Sequence, residues 1–201
     1  MEKKKTVAII ILILFVIMVF DFRINGSEVF ESYFRQMETG SFHSFGNFPQ
    51  TTAGNVEVSK EVQMAVEDVD QKELRLYNEM GSIIIDGEDR NDIELEAEIT
   101  VYGDEEQIAE DFLAGLEIQN RLSDSRVEII LQQEAEKKPA IKGVKVDYIL
   151  KAPRKMALDL RNKYGKMEVQ NFNSNPILSN QYDQLLVSNI DGNPEIDSRY
   201  G

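Results

Sequence analysis

From Ile93 to Val101 the chain alternates without a break. Ile93, Leu95, Ala97, Ile99 and Val101 fall on one side, and Glu94, Glu96, Glu98 and Thr100 on the other. A period of two is that of a strand with one buried face, so this segment predicts a strand. Weaker forms of the pattern predict one or two strands across Val56–Val66. Others fall at Glu73–Asn78, Ser82–Asp86, Glu117–Asn120, Arg126–Leu131 and Val144–Leu150. The stretch Gln132–Gly143 is charged and contains Pro139, so it reads as a loop or hairpin end. One segment has a longer period. Ile108, Phe112 and Leu116 recur every fourth residue, which predicts a helix near 104–116. Asp104 is its expected N-cap, with Gln107 as capping-box partner. Glu105, Glu106, Glu110 and Asp111 suit the positive end of the helix dipole and need no further role.

The last third repeats itself every 18 residues. Leu160-Arg161-Asn162-Lys163-Tyr164-Gly165 aligns with Leu178-Ser179-Asn180-Gln181-Tyr182-Asp183 and with Ile196-Asp197-Ser198-Arg199-Tyr200-Gly201. Met167 matches Leu185, Val169 matches Val187, Phe172 matches Ile190, and Pro176 matches Pro194. A short rung with apolar, Asn and turn positions in fixed places predicts a parallel β-solenoid with an 18-residue rung. Leu160, Leu178 and Ile196 should point inward and Ser179 outward. Asn and Asp should take the corners, where left-handed backbone is tolerated. Rungs begin near residue 158, and the last is expected to be incomplete at Gly201.

The N-terminus has a different pattern. Val7 to Phe20 is an unbroken apolar run behind Lys3, Lys4 and Lys5. Spanning helices need about 20 apolar residues, with a lower limit near 17. With Thr6 and Phe22 included and the lysines snorkelling, residues 6–22 reach that limit. Downstream, Phe22-Arg23-Ile24-Asn25-Gly26-Ser27 makes a poor cleavage site. The segment is therefore expected to be an uncleaved signal anchor. The lysines should stay cytoplasmic and the C-terminal domain should be extracytoplasmic. Val29, Phe30, Tyr33, Phe34 and Met37 form one helical stripe, expected as a juxtamembrane helix or one packed on the domain. The Gly-, Ser- and Asn-rich residues 40–55 read as a linker. The expected organisation is thus 1–23 anchor, 24–55 juxtamembrane helix and linker, and 56–201 folded β domain.

Composition narrows the chemistry. With 22 Lys+Arg against 36 Asp+Glu the net charge is −14, which disfavours nucleic acid as a partner. No cysteine is present, so disulfides, thiolate metal sites and a Cys nucleophile are excluded. The single histidine, His43, lies in the linker and reads as solvated. No phosphate-binding, dinucleotide, nucleophile-elbow or zinc-protease motif occurs. The acidic turn Asp86–Asp92 carries Arg90 and lacks the ligand spacing of an EF-hand, so it reads as a solvated turn. No catalytic, cofactor-binding or metal-ligating residue is assigned, and no cofactor is expected.

The order of parts resembles the bacterial putative-adhesin domain family. The carrying residues are the Gly–Ile strand Tyr77-Asn78-Glu79-Met80-Gly81-Ser82-Ile83-Ile84-Ile85, the strand end Tyr148-Ile149-Leu150-Lys151-Ala152-Pro153, and the Asn-x-x-Gly repeat opening at Asn162. The resemblance covers about residues 58–201. The anchored arrangement is also similar to LiaG-type proteins of Gram-positive envelope-stress operons. The resemblance implies a mainly β, membrane-anchored extracytoplasmic protein of the cell envelope with a noncatalytic binding or scaffold role, and a protein or glycan partner. An envelope-stress accessory acting through a membrane partner is a variant of that reading. The alternative is a glycan-active enzyme, since some β-solenoids cleave polysaccharides.

Overall fold

The computed structural model describes residues 54–134 and 138–201. The expected anchor at 6–22, the juxtamembrane stripe and His43 lie outside the described residues. Among the described residues no helix is long and apolar enough to cross a membrane.

The fold is mainly β, with two mixed six-stranded sheets sharing one hydrophobic core. The first sheet runs in the spatial order β1 (Val56–Val66), β4 (Ile93–Gly103), β7 (Ile141–Pro153), β3 (Ile83–Glu88), β9 (Met167–Gln170), β11 (Leu185–Ser188). The second runs β12 (Glu195–Arg199), β10 (Ile177–Gln181), β8 (Ala157–Tyr164), β2 (Glu73–Met80), β6 (Arg126–Gln133), β5 (Leu116–Leu122). The pairs β1–β4, β4–β7 and β5–β6 are antiparallel, and the rest are parallel. The alternation in β4 does what it predicts: Ile93, Leu95, Ala97, Ile99 and Val101 are buried, and the three intervening glutamates are exposed. Val56–Val66 is a single strand, because all of it pairs with β4.

The 18-residue period appears as strand register. In one sheet Leu160 lies opposite Leu178, and Leu178 opposite Ile196. In the other, Met167 lies opposite Leu185 and Val169 opposite Val187. The pairing also reveals a fourth copy. Leu76, Asn78 and Ile83 stand opposite Leu160, Asn162 and Met167. Thus β2–β3, β8–β9 and β10–β11 each pass from one sheet to the other in the same way. The first pass is separated from the second by the whole β4–β7 segment, which hides it from an 18-residue search. The passes pack closely where glycine allows. A Cβ on Gly165 (φ 141°) would lie 2.1 Å from the Gly81 carbonyl oxygen, and one on Gly81 (φ 113°) 2.1 Å from that of Val146.

Three expectations need correction. The helix, α1, spans Glu106–Ala114 with Glu105 at its N-cap position, and no side chain caps it. The Asp104 carboxylate instead meets Lys142 at 2.7 Å, and Gln107 donates to Asp111. Leu116 is drawn into β5 opposite Gln133, so the buried helical residues are Ala109, Phe112 and Leu113. Ile196 is not interior. Leu160 and Leu178 are buried, but Ile196 is 48% exposed, because among the described residues β12 is paired on one side only. Finally, Asn and Asp hold only some left-handed positions. Asn171 and Asn189, in matching places, have φ of 64° and 52°, whereas Asn162 and Asn180 are buried and Tyr182 and Tyr200 take φ of 61°.

Candidate interaction surface

The outer face of the β6–β2–β8 strands carries alternating charges. Arg126 meets Glu73 (3.2 Å) and Glu128 (3.5 Å), Arg75 meets Glu73 (3.3 Å) and Asp159 (3.2 Å), and Arg161 meets Asp159 (3.0 Å). The ladder follows from register, because Arg75 lies opposite Glu128 on one side and Asp159 on the other. Burial pushes the Glu128 carboxyl upward, and Arg126 and Arg75 offset this only partly. A glycoside hydrolase needs two carboxylates flanking a space for the sugar. Here the side chain between Glu128 and Asp159 is Arg75, so this face reads as a structural ion ladder.

The acidic turn is likewise organised from within. Arg90 meets Glu88 (3.3 Å), Asp92 (3.1 Å) and Glu94 (2.8 Å), and its hydrogen bonds hold the Asp92 and Glu94 carboxyls below their ordinary range. Among the described residues no group of three or more His, Cys, Asp or Glu side chains could hold a metal ion.

The surface least explained by internal packing lies at the β11–β12 end. The exposed large apolar residues Tyr164, Ile177, Tyr182, Leu186, Ile196 and Tyr200 all belong to the last three passes, whereas only Leu122 and Ile149 lie elsewhere in the described residues. Three are tyrosines spaced by the repeat. Tyr164 stacks on Tyr182 and Tyr182 on Tyr200, both with ring centroids 5.0 Å apart, at 20° and 9° between planes. Lys163 Nζ sits 5.0 Å from the centre of the Tyr164 ring, capping the other end. The outermost ring, Tyr200, is 79% exposed. Left-handed backbone costs a bulky residue of order 1–3 kcal/mol and collects at functional sites. Tyr182 and Tyr200 both adopt it, whereas in the preceding pass the matching Tyr164 does not and the positive φ falls one residue on, at Gly165.

Beside this column runs β12, which among the described residues pairs with β10 alone. Glu195 donates its N–H to Pro176, and Arg199 accepts from Tyr182 N–H, so the backbones of residues 195 and 199 face inward to the sheet. Because backbone direction alternates, Ile196 and Ser198 direct theirs outward. Arg199 and Asp197 meet at 2.9 Å on the strand's outer face. No site residue was assigned from sequence; the recurrence of tyrosine at 164, 182 and 200 is the signal that could have marked this column.

Several solved structures are similar to this chain. A putative cell adhesion protein from Clostridium sporogenes is 10% identical with a TM-score of 0.38, over 71% of this chain and 99% of that one. A putative adhesin from Parabacteroides merdae is 13% identical with a TM-score of 0.35, over 70% of this chain and 54% of that one. A putative adhesin from Parabacteroides distasonis is 10% identical with a TM-score of 0.31, over 75% and 68%. No protein-family model and no curated protein sequence matches the chain. Likeness at this level transfers no activity or ligand.

Proposed function

We propose that this chain is a membrane-anchored, extracytoplasmic binding or scaffold protein of the bacterial cell envelope, without catalytic activity. The observation that carries the binding role is the gathering of exposed apolar and aromatic side chains on the last three passes, with Tyr182 and Tyr200 in left-handed backbone. Apolar side chains collected at one place on a surface otherwise rich in paired charge mark an interaction site. The parallel passes at an 18-residue offset support reading the C-terminal third as the start of a β-solenoid, a form whose edges and columns present repeated side chains. The apolar run Val7–Phe20 behind Lys3–Lys5 supports the anchor and its orientation. An accessory role in envelope stress falls within the same reading when the partner is itself a membrane protein.

Expression of the full chain in a bacterial host tests the placement. The protein should sediment with membranes, and protease added to intact cells should digest residues 54–201. Recovery in the soluble fraction with that region protected would overturn it. Deletion of residues 6–22 should release the protein from membranes.

A further inference from the structure

We propose that Tyr164 and Tyr182 form a modification site, at which one-electron oxidation couples the two rings into a dityrosine and staples successive passes together. The oxidant is hydrogen peroxide acting through a haem peroxidase. The pair serves this role whether or not the column also binds a partner.

Parallel strands in register set matching side chains beside one another. Leu178 lies opposite Leu160 and Asn180 opposite Asn162, and two residues on Tyr182 stacks on Tyr164, with centroids 5.0 Å apart and 20° between planes. Tyr164 has Tyr182 on one side and Lys163 Nζ over its ring, and Tyr182 lies between Tyr164 and Tyr200. Their exposures of 36% and 49% are therefore mainly those of the ring edges, which carry the hydroxyl and its ortho carbons. Half-exposed rings can turn about their side-chain bonds on a fast timescale, which lets two neighbouring edges meet. Other tyrosines are less open. Tyr102 and Tyr148 are buried, and Tyr77 has its hydroxyl enclosed. The chain has no cysteine, so no thiol competes for the oxidant.

The chemistry balances. Each ring gives one electron and its phenolic proton to the oxidant, leaving a phenoxyl radical that is shared with the ortho carbons. The two radicals join by one new Cε–Cε bond. Each joined carbon then loses its hydrogen as a proton, and each oxygen regains one, so both phenols are restored. The net loss is two electrons and two protons, which convert one hydrogen peroxide into two waters. Stacking makes the coupling step intramolecular, which favours it over coupling between chains.

Treatment of the full chain in detergent micelles with hydrogen peroxide and a haem peroxidase tests this. The chain should gain dityrosine fluorescence and still run at single-chain size on a denaturing gel, with a yield unchanged by dilution. Trypsin cuts after Lys163, Lys166 and Arg199, so Tyr164 and Tyr182 fall on separate peptides, and these should be recovered joined and lighter by two hydrogens than their sum. Tyr182→Phe keeps a ring in the stack but removes the coupling partner, and should cut the yield at least about tenfold. Tyr200→Phe should leave the joined peptides in place. In urea melts the linked chain should unfold at a higher concentration than the unlinked one. Absence of the link, a link between chains or between other tyrosines, or a full yield in Tyr182→Phe overturns the site. An unmoved urea midpoint in the linked chain overturns its role as a staple.

Discussion

Asn162 and Asn180 lie directly opposite each other in parallel strands, and each does the same thing three residues on. Asn162 donates its amide to the Gly165 carbonyl at 2.7 Å, and Asn180 donates to the Asp183 carbonyl at 2.7 Å. Asn78, opposite Asn162 on the other side, donates instead to Val146 at 2.9 Å. All three are buried. The side chains satisfy carbonyls at the corner where the chain leaves one sheet for the other.

Loss of that bond should therefore be costly. Removing one partner of a buried hydrogen bond leaves the other unsatisfied, typically at about 1–3 kcal/mol. Denaturant melts of Asn162→Ala and Asn180→Ala should show losses in that range. Ser198→Ala, at the matching exposed position, should change stability by less than about 0.5 kcal/mol.

Burial grades the same column of apolar side chains. Leu178→Ala removes a buried side chain and should cost about 2–5 kcal/mol. Ile196→Ala, on the half-exposed last strand, should cost clearly less. Ser179→Ala, on the outward side, should stay within about 0.5 kcal/mol. Equal effects of Leu178→Ala and Ser179→Ala in the same melts would mean the inward and outward sides are misassigned.

Gly165 should tolerate no side chain. Its φ of 141° disfavours L residues, and an added Cβ would meet the Gly81 carbonyl oxygen at 2.1 Å. Gly165→Ala should destabilise by more than about 1 kcal/mol in thermal or denaturant unfolding. Unchanged stability would contradict the close approach of successive passes.

Acid should weaken the link between β3 and β7. Burial raises the Asp147 carboxyl, but hydrogen bonds from Lys145 and Ser82 outweigh it and hold the group below its ordinary value. The unfolded chain, near the ordinary value of about 3.9, then binds the proton more readily. This contribution is present above about pH 4 and is lost as pH falls through the depressed native value. Urea melts between pH 2 and 5 should show a shallower decline for Asp147→Asn than for the native chain.

Much of this fold was legible because the physics is local. The Ile93–Val101 alternation and the 18-residue agreement of Leu160, Leu178 and their neighbours reflect strand period and stacking, which sequence spacing carries directly. What was not legible depended on distant residues. Lys142 took Asp104 away from its cap, and Gln133 recruited Leu116 into a strand. The β2–β3 pass belongs to the repeat but lies beyond four strands and a helix, so no period relates it to the others. The exposure of Ile196 came from β12 having one neighbour among the described residues. The tyrosine column was half visible: its spacing stood in the sequence, whereas the left-handed backbone and the ring stacking needed the fold.

The register of the C-terminal passes depends on β12 lying 18 residues on from β10. The chain has no cysteine, so an introduced pair reports register without interference. Ser179 and Asp197 are opposite each other on the outer face, and directly paired strand residues are close enough for a disulfide. Mild oxidation of Ser179→Cys/Asp197→Cys should close that bond within one chain, faster than Ser179→Cys/Glu195→Cys or Ser179→Cys/Arg199→Cys. Faster closure at position 195 or 199 would place β12 in another register and contradict the account.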